Sequence, residues 1–77
     1  MQFPSKEIVE ALRQEYPAGT LVELVKMDDK FAPPIGTRGR VTVIDDVGTI
    51  FVDWQTGSGL GVAYGKDRIR KANEDVG

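Results

Sequence analysis

Closely spaced carboxylates are one group of residues in this chain that could bind a metal ion or take part in catalysis. They stand at Asp28-Asp29 and Asp45-Asp46, with Asp53 further along the chain, and carboxylate oxygens are the ligands that hard cations such as calcium prefer. The D-x-D-x-D-G pattern of a calcium loop does not occur in the sequence. Adjacent aspartates at turns usually bond their own backbone instead. We therefore expect turns at the two aspartate pairs, Arg40 as the partner of Asp53, and no metal site.

The glycine-rich run GSGLGVAYGK, residues 57–66, suggests a phosphate-binding loop. Neither of the two common phosphate-loop spacings fits, because Leu60, Val62 and Tyr64 stand where glycines are required, and Asp67 rather than serine or threonine follows Lys66. No cofactor is expected.

The absence of histidine and cysteine from the chain argues against catalysis. Histidine is the side chain most used as a general base near neutral pH, and cysteine supplies thiolate zinc sites and disulfides. We therefore expect a protein that is not an enzyme, with no catalytic residues.

A local cluster of basic side chains suggests contact with nucleic acid. The overall balance is slightly acidic, 12 acids against 10 bases, so only a patch of the surface would attract phosphates. The candidates for this alternative are Arg38, Arg68, Arg70 and Lys71.

Aromatic and proline residues suggest contact with a protein or peptide. The candidate residues are Phe31, Pro33, Pro34, Trp54 and Tyr64, and the first three share one long loop between predicted strands, where small barrels usually place their contacts. Two interpretations of Trp54 stay open, a core residue and a rim residue that touches a ligand. Protein binding is our preferred function and nucleic-acid binding the alternative.

The elements that position these residues begin with a helix over about residues 5–16. Ser5 is its predicted N-cap, Ile8, Val9 and Leu12 form one apolar face, and Pro17 ends it. Short β segments follow, separated by turns at about nine-residue spacing. The first, Leu21–Met27, directs Val22 and Leu24 inward and is expected to be an edge strand with which a second copy could pair, although the sequence does not fix the oligomeric state.

The pairing of the middle strands can be predicted from the apolar pattern. A four-residue loop at residues 45–48 sets Val43 opposite Ile50 and Val41 opposite Val52, whereas a three-residue loop sets Val43 opposite Phe51. The four-residue loop keeps the apolar partners on one face, so we favour it.

A second turn at residues 55–57 then brings Leu60 and Val62 to the same inner face, with Arg40 opposite Asp53 and Phe51 opposite Gly61 on the outer face. After a turn at residues 64–67, Ile69 points inward and Arg68 and Arg70 point outward.

These elements predict one domain over residues 1–77, with a five-stranded barrel over about residues 19–72 and a tail at residues 73–77. The helix would bury its apolar face at an open end of the barrel. The start of the chain has the character of neither a signal peptide nor a membrane span, so we expect a cytoplasmic protein without membrane contact.

The segment PPIGTRGRVTVIDDVGTIFVDWQTGSGLGVAYGKDRIR resembles a family of short, uncharacterised bacterial proteins classed as a domain of unknown function. The resemblance runs from about Ser5 to Lys71, and DDVGTIFVDW followed by GSGLG is its most specific part. It implies an SH3-like barrel and brings no activity with it. The fold class is therefore mainly β, a small five-stranded SH3-like barrel preceded by one N-terminal α-helix.

The elements G-x-V, V-D-W-x-x-G and Y-G-K are similar to the Mind bomb type of SH3-like domain, whose members are protein-interaction modules. Gln55-Thr56 stands where that pattern more often has Asp-Asn. Since one fold hosts many functions, both resemblances are analogies.

Overall fold

A computed structural model of the chain describes residues 4–73. It contains one helix and five strands, which are α1 (Lys6–Glu15), β1 (Leu21–Lys26), β2 (Arg38–Ile44), β3 (Thr49–Trp54), β4 (Val62–Ala63) and β5 (Arg68–Lys71). The prediction of a mainly β fold with an N-terminal helix is confirmed. Most of the predicted tail, residues 74–77, lies outside the described residues.

The five strands form one antiparallel sheet in the order β4-β3-β2-β1-β5. In the part of the chain that the structure describes, the edge strands β4 and β5 do not pair with each other, so the sheet is open rather than closed. The prediction that β1 is an edge strand is wrong. β1 pairs with β2 through Leu21–Glu23 and with β5 through Val22–Lys26, which places it inside the sheet.

Helix α1 begins and ends at the expected signals. The Ser5 hydroxyl accepts a hydrogen bond from the Ile8 N–H at 3.3 Å, and the chain leaves the helix at Tyr16, immediately before Pro17. Val9 and Leu12 are buried against the sheet, while Ile8 is partly buried at the margin of the core.

Arg13 fixes the helix to the end of β2. Its guanidinium donates to the Ile44 carbonyl oxygen from Nε at 3.2 Å and from Nη2 at 3.0 Å, and Nη2 also donates to the Asp46 carboxylate at 2.9 Å. A planar guanidinium suits such multiple bonding because its donors have a fixed arrangement. The helix is therefore attached to the β2–β3 turn as well as packed on the core.

The β2–β3 hairpin has the register of the three-residue loop next to the turn and the register of the four-residue loop further along the strands. The Asp45 N–H donates to the Thr49 carbonyl oxygen at 3.1 Å, which leaves three residues in the turn, and Val43 lies opposite Phe51. A register shift between Val41 and Val43 then restores the predicted pairing of Val41 with Val52. This shift is a β-bulge, which places one extra residue on one strand.

The bulge exchanges the roles of two neighbouring residues. Ile44 faces Ile50 and is 4% exposed, while Val43 points outward and is 58% exposed. The predicted pairing of Val43 with Ile50 is therefore wrong, because apolar periodicity alone does not reveal an extra residue in a strand. Leu60, also predicted to lie inside, is half-buried.

The core lies between the inner face of the sheet and α1. The predicted inward positions Val22, Leu24, Val41, Val52 and Val62 are all buried. Together with residues of the helix and of β2 and β3, they form one cluster consisting of Val9, Leu12, Val22, Leu24, Val41, Ile44, Ile50, Val52, Trp54 and Val62. The exposed faces of the sheet and the loops are therefore the candidate functional surfaces.

Candidate protein-binding loop

The β1–β2 loop, residues 27–37, has a backbone fixed by hydrogen bonds. The Asp29 side chain accepts from the Phe31 N–H at 2.8 Å and its carbonyl oxygen accepts from the Ala32 N–H at 3.0 Å, which closes a turn at the start of the loop. At the other end, the Leu24 N–H donates to the Thr37 carbonyl oxygen at 2.8 Å, and the Leu24 carbonyl oxygen accepts from Gly36 at 2.8 Å. The loop is thus an ordered extension of the β1–β2 pairing.

This loop presents large apolar side chains to solvent. Phe31 is 73% exposed and Ile35 is 62% exposed, and Pro34 between them is also exposed. Pro33 is buried, so it supports the loop rather than offering a contact. The Lys30 Nζ lies 5.1 Å from the centroid of the Phe31 ring, within the range of a cation–π interaction.

Trp54 and Tyr64, the other predicted contact residues, lie elsewhere. Trp54 is 2% exposed and its Nε1–H donates to the Leu60 carbonyl oxygen at 2.9 Å, so it is the core residue of the two interpretations and offers no contact surface. Tyr64 is 48% exposed and lines a cavity between β4 and β5 to which the β1–β2 loop does not contribute. The structure therefore does not join the predicted aromatic residues into one cluster.

The predicted basic residues are partly neutralised by one acid. Glu23 lies opposite Arg38 on one side and Arg70 on the other. Its carboxylate is 3.6 Å from the Arg38 Nε and 2.7 Å from the Arg70 Nη2. The hydrogen bond from Arg70 and the charges of both arginines lower the pKa of Glu23 below its ordinary value of 4.5.

The remaining two members of the basic group have different surroundings. Arg68 is exposed, and the Lys71 Nζ lies 5.6 Å from the centroid of the Tyr16 ring. Burial, and secondarily the charge of Glu15, raise the pKa of Tyr16 above 10.0, so its hydroxyl stays neutral at physiological pH.

Asp29 and Asp45 bond the backbone of their turns, as predicted, and Asp53 lies in β3. The Asp45 carboxylate accepts from the Val47 N–H at 3.1 Å and the Thr49 N–H at 2.9 Å, and Asp53 lies opposite Arg40. Within residues 4–73, no three acidic side chains come together in a way that would hold a metal ion.

Ile35 is the functional candidate that sequence reasoning did not single out. A signal for it exists, because an isoleucine between Pro34 and a glycine in a loop has no strand face on which to be buried. Gly36 adopts a φ of +94°, a conformation that favours glycine, and the chain turns there into β2.

The fold and this loop define a small mainly β domain, in which an open five-stranded antiparallel sheet carries one helix and an exposed apolar loop. The chain matches the family described as Domain of unknown function (DUF4314) over residues 5–72, and it belongs to that family. Among curated proteins and among solved structures, nothing matches the chain. No helix within residues 4–73 has the length and apolar character to cross a membrane.

Proposed function

We propose that the chain is a non-enzymatic protein-interaction module with an SH3-like fold, and that the β1–β2 loop is its contact surface. The observation that carries the proposal is the exposure of Phe31 and Ile35. They are the most exposed large apolar side chains of residues 4–73, and both belong to one hydrogen-bonded loop. Exposed apolar patches on small domains commonly mark binding sites.

The order of the loop favours binding over accidental exposure. Burial of a side chain such as Phe31 or Ile35 against a partner contributes roughly 1.5–3 kcal/mol. A flexible loop would lose much of that gain when it became ordered, whereas a loop already held by the bonds of Asp29 and Leu24 loses less. The partner that suits this surface is a protein or peptide with an apolar recess for an aromatic ring.

The strand order supports the SH3-like part of the proposal. Strands β1 to β4 follow one another as neighbours, and β5 returns to pair with β1. We assign the open seam between β4 and β5 to an incompletely closed barrel of this type.

The nucleic-acid alternative has less support. Arg38 and Arg70 share the Glu23 carboxylate, so two of the four candidate cations are already partly neutralised.

Affinity capture with matched variants tests the proposal. The tagged protein is compared with the double variant Phe31→Ser/Ile35→Ser and with Val43→Ser, a control that changes another exposed apolar residue on the outer face of the sheet. All three proteins should fold, because substitutions at exposed positions usually change stability by less than about 0.5 kcal/mol.

We expect a partner that the wild type and Val43→Ser retain and that the double variant loses. The same partner should bind the purified wild-type protein in isothermal titration calorimetry. An identical set of partners for all three proteins contradicts the assignment to the loop.

A further inference from the structure

The two edges of the open sheet differ in how their backbone groups are satisfied. On β4, the Ala63 N–H donates to the Asp67 Oδ2 at 2.8 Å, and the Ala63 carbonyl oxygen accepts from the N–H groups of Lys66 at 3.2 Å and Asp67 at 2.9 Å. The turn that follows β4 therefore occupies that edge. An added strand would have to displace these bonds.

The edge of β5 has no such cover in the described part of the chain. The Ala72 N–H donates to the Leu21 carbonyl oxygen at 2.9 Å, and Arg70 lies opposite Glu23. Since antiparallel strands alternate between hydrogen-bonded and non-hydrogen-bonded pairs, the backbone groups of Ile69 and Lys71 point away from β1. Within residues 4–73, no strand pairs with them.

A cavity of about 390 Å³ lies beside this edge, in the seam between β4 and β5. Its apolar lining comes from α1 and from three strands, namely Leu12, Ile50, Val62 and Ile69. The polar residues that line it are Glu15, Tyr16, Tyr64, Asp67 and Arg68, two acids and one base, so the cavity itself suits an apolar side chain and not a carboxylate. The cavity therefore combines an apolar interior with a rim of mixed charge, next to the backbone groups of Ile69 and Lys71.

Positive charge on β5 is only partly balanced. Arg70 is bound to Glu23 at 2.7 Å. Arg68 has no ion pair among the described residues, and its cross-strand neighbour is another exposed cation, Lys26. Like charges on cross-strand neighbours are destabilising. An anion bound beside Arg68 would therefore reduce the repulsion between Arg68 and Lys26 and would itself be attracted by both cations.

We propose that the free edge of β5 binds an extended peptide segment in which acidic and apolar residues alternate. Side chains of an added strand alternate between the two faces of the sheet. Residues beside Arg68 and Arg70 on the outer face would be acidic, and the residue between them, beside Ile69, would enter the cavity. This site is separate from the β1–β2 loop and does not depend on it.

Other occupants fit the edge less well. A second copy pairing through the same strand would bring two RIRK segments together, with three cations on each. A nucleic acid would satisfy the cations but would leave the aliphatic cavity and the backbone groups of Ile69 and Lys71 unused.

The probe is the terminally blocked peptide Ser-Glu-Val-Glu-Val-Glu-Ser, titrated against the isotope-labelled protein by NMR. We expect the amide signals of Ile69 and Lys71 to shift, and their hydrogen exchange to slow as they become bonded. A peptide of the same composition without alternation, Ser-Glu-Glu-Glu-Val-Val-Ser, and an alternating peptide methylated on its backbone nitrogens should both bind about tenfold more weakly or worse.

Variants separate this strand addition from general charge attraction. Arg68→Glu should weaken binding of the alternating peptide about tenfold, while Lys6→Glu, the same charge change at an exposed position of α1, should leave it within about twofold. Equal binding of the alternating and scrambled peptides by the wild type overturns the proposal, even if Arg68→Glu fails to fold. Failure of the alternating peptide to bind also overturns it, as does an oligonucleotide that binds this edge when the peptide does not.

Discussion

Replacing Val43 and Ile44 one at a time by alanine tests the bulge that sets the core. The two residues are adjacent and both aliphatic, but Ile44 is 4% exposed and Val43 is 58% exposed. Truncation of a buried isoleucine costs about 2–4 kcal/mol through lost burial and the cavity that remains. Truncation of the exposed valine should change the free energy of unfolding by less than about 0.5 kcal/mol.

The cost expected for Ile44→Ala is a substantial fraction of the stability available to a chain of 77 residues, which is about 4–12 kcal/mol. In a domain of this size each kcal/mol shifts the Tm by about 4–8 °C, so Ile44→Ala should lower the Tm by about 8–32 °C and Val43→Ala by less than about 4 °C. The Arg13 guanidinium donates to the backbone carbonyl oxygen of residue 44, so these bonds do not require the isoleucine side chain and should persist in the variant. Thermal denaturation followed by circular dichroism measures both shifts. Equal shifts, or a larger one for Val43→Ala, would refute the bulge and restore the straight pairing.

Three further substitutions test other contacts. A β-carbon at Gly39 would lie 2.6 Å from the Asp53 carbonyl oxygen, so Gly39→Ala should destabilise the fold by about 1–3 kcal/mol in urea denaturation, and an unchanged urea midpoint would contradict this close approach. Trp54→Phe leaves the Leu60 carbonyl oxygen without its indole donor and opens a cavity. We expect it to lower the free energy of unfolding by about 2–4 kcal/mol in the same assay, and a loss below about 0.5 kcal/mol would mean that the indole is not buried. The lowered pKa of Glu23 means that its ionised form stabilises the fold above pH 4.5 and that this contribution is lost as the pH falls through the folded-state value. The urea midpoint of wild type should therefore exceed that of Glu23→Gln at pH 7 and converge with it in acid, whereas a difference that does not depend on pH would contradict the ion pairs.

The helix and most inward positions could be predicted because local signals agree with burial there. Ser5 is followed by an apolar face at helical spacing, and Val22, Leu24 and Val52 follow the alternation of strands. The turn at Asp45 could be predicted for the same reason, because an aspartate side chain commonly accepts a hydrogen bond from the backbone N–H two residues further on.

The bulge could not be predicted, because a three-residue turn and an extra residue in β2 compensate each other and leave Val41 opposite Val52, as a straight four-residue hairpin does. Only the identity of the buried residue, Ile44 or Val43, distinguishes them, and both are aliphatic. The position of β1 inside the sheet could not be predicted either. The pairing of β5 with β1 joins segments that are far apart in the sequence, and no local signal indicates it.

The candidate site was predicted in part. The loop that carries Phe31 and Pro34 was selected from its composition, and the structure shows both residues exposed there. Tyr64 was grouped with them on residue type alone, which carries no information about distance. The sharing of Glu23 by Arg38 and Arg70 depends on three strands lying side by side, which no single segment encodes.

The most direct test of loop-mediated binding is hydrogen–deuterium exchange of the protein with and without its captured partner. If the β1–β2 loop is the contact surface, amides within residues 30–37 should exchange more slowly in the complex, while those of the β2–β3 turn around Val47 should not change. Slower exchange confined to other segments, with residues 30–37 unaffected, would contradict the assignment of the loop.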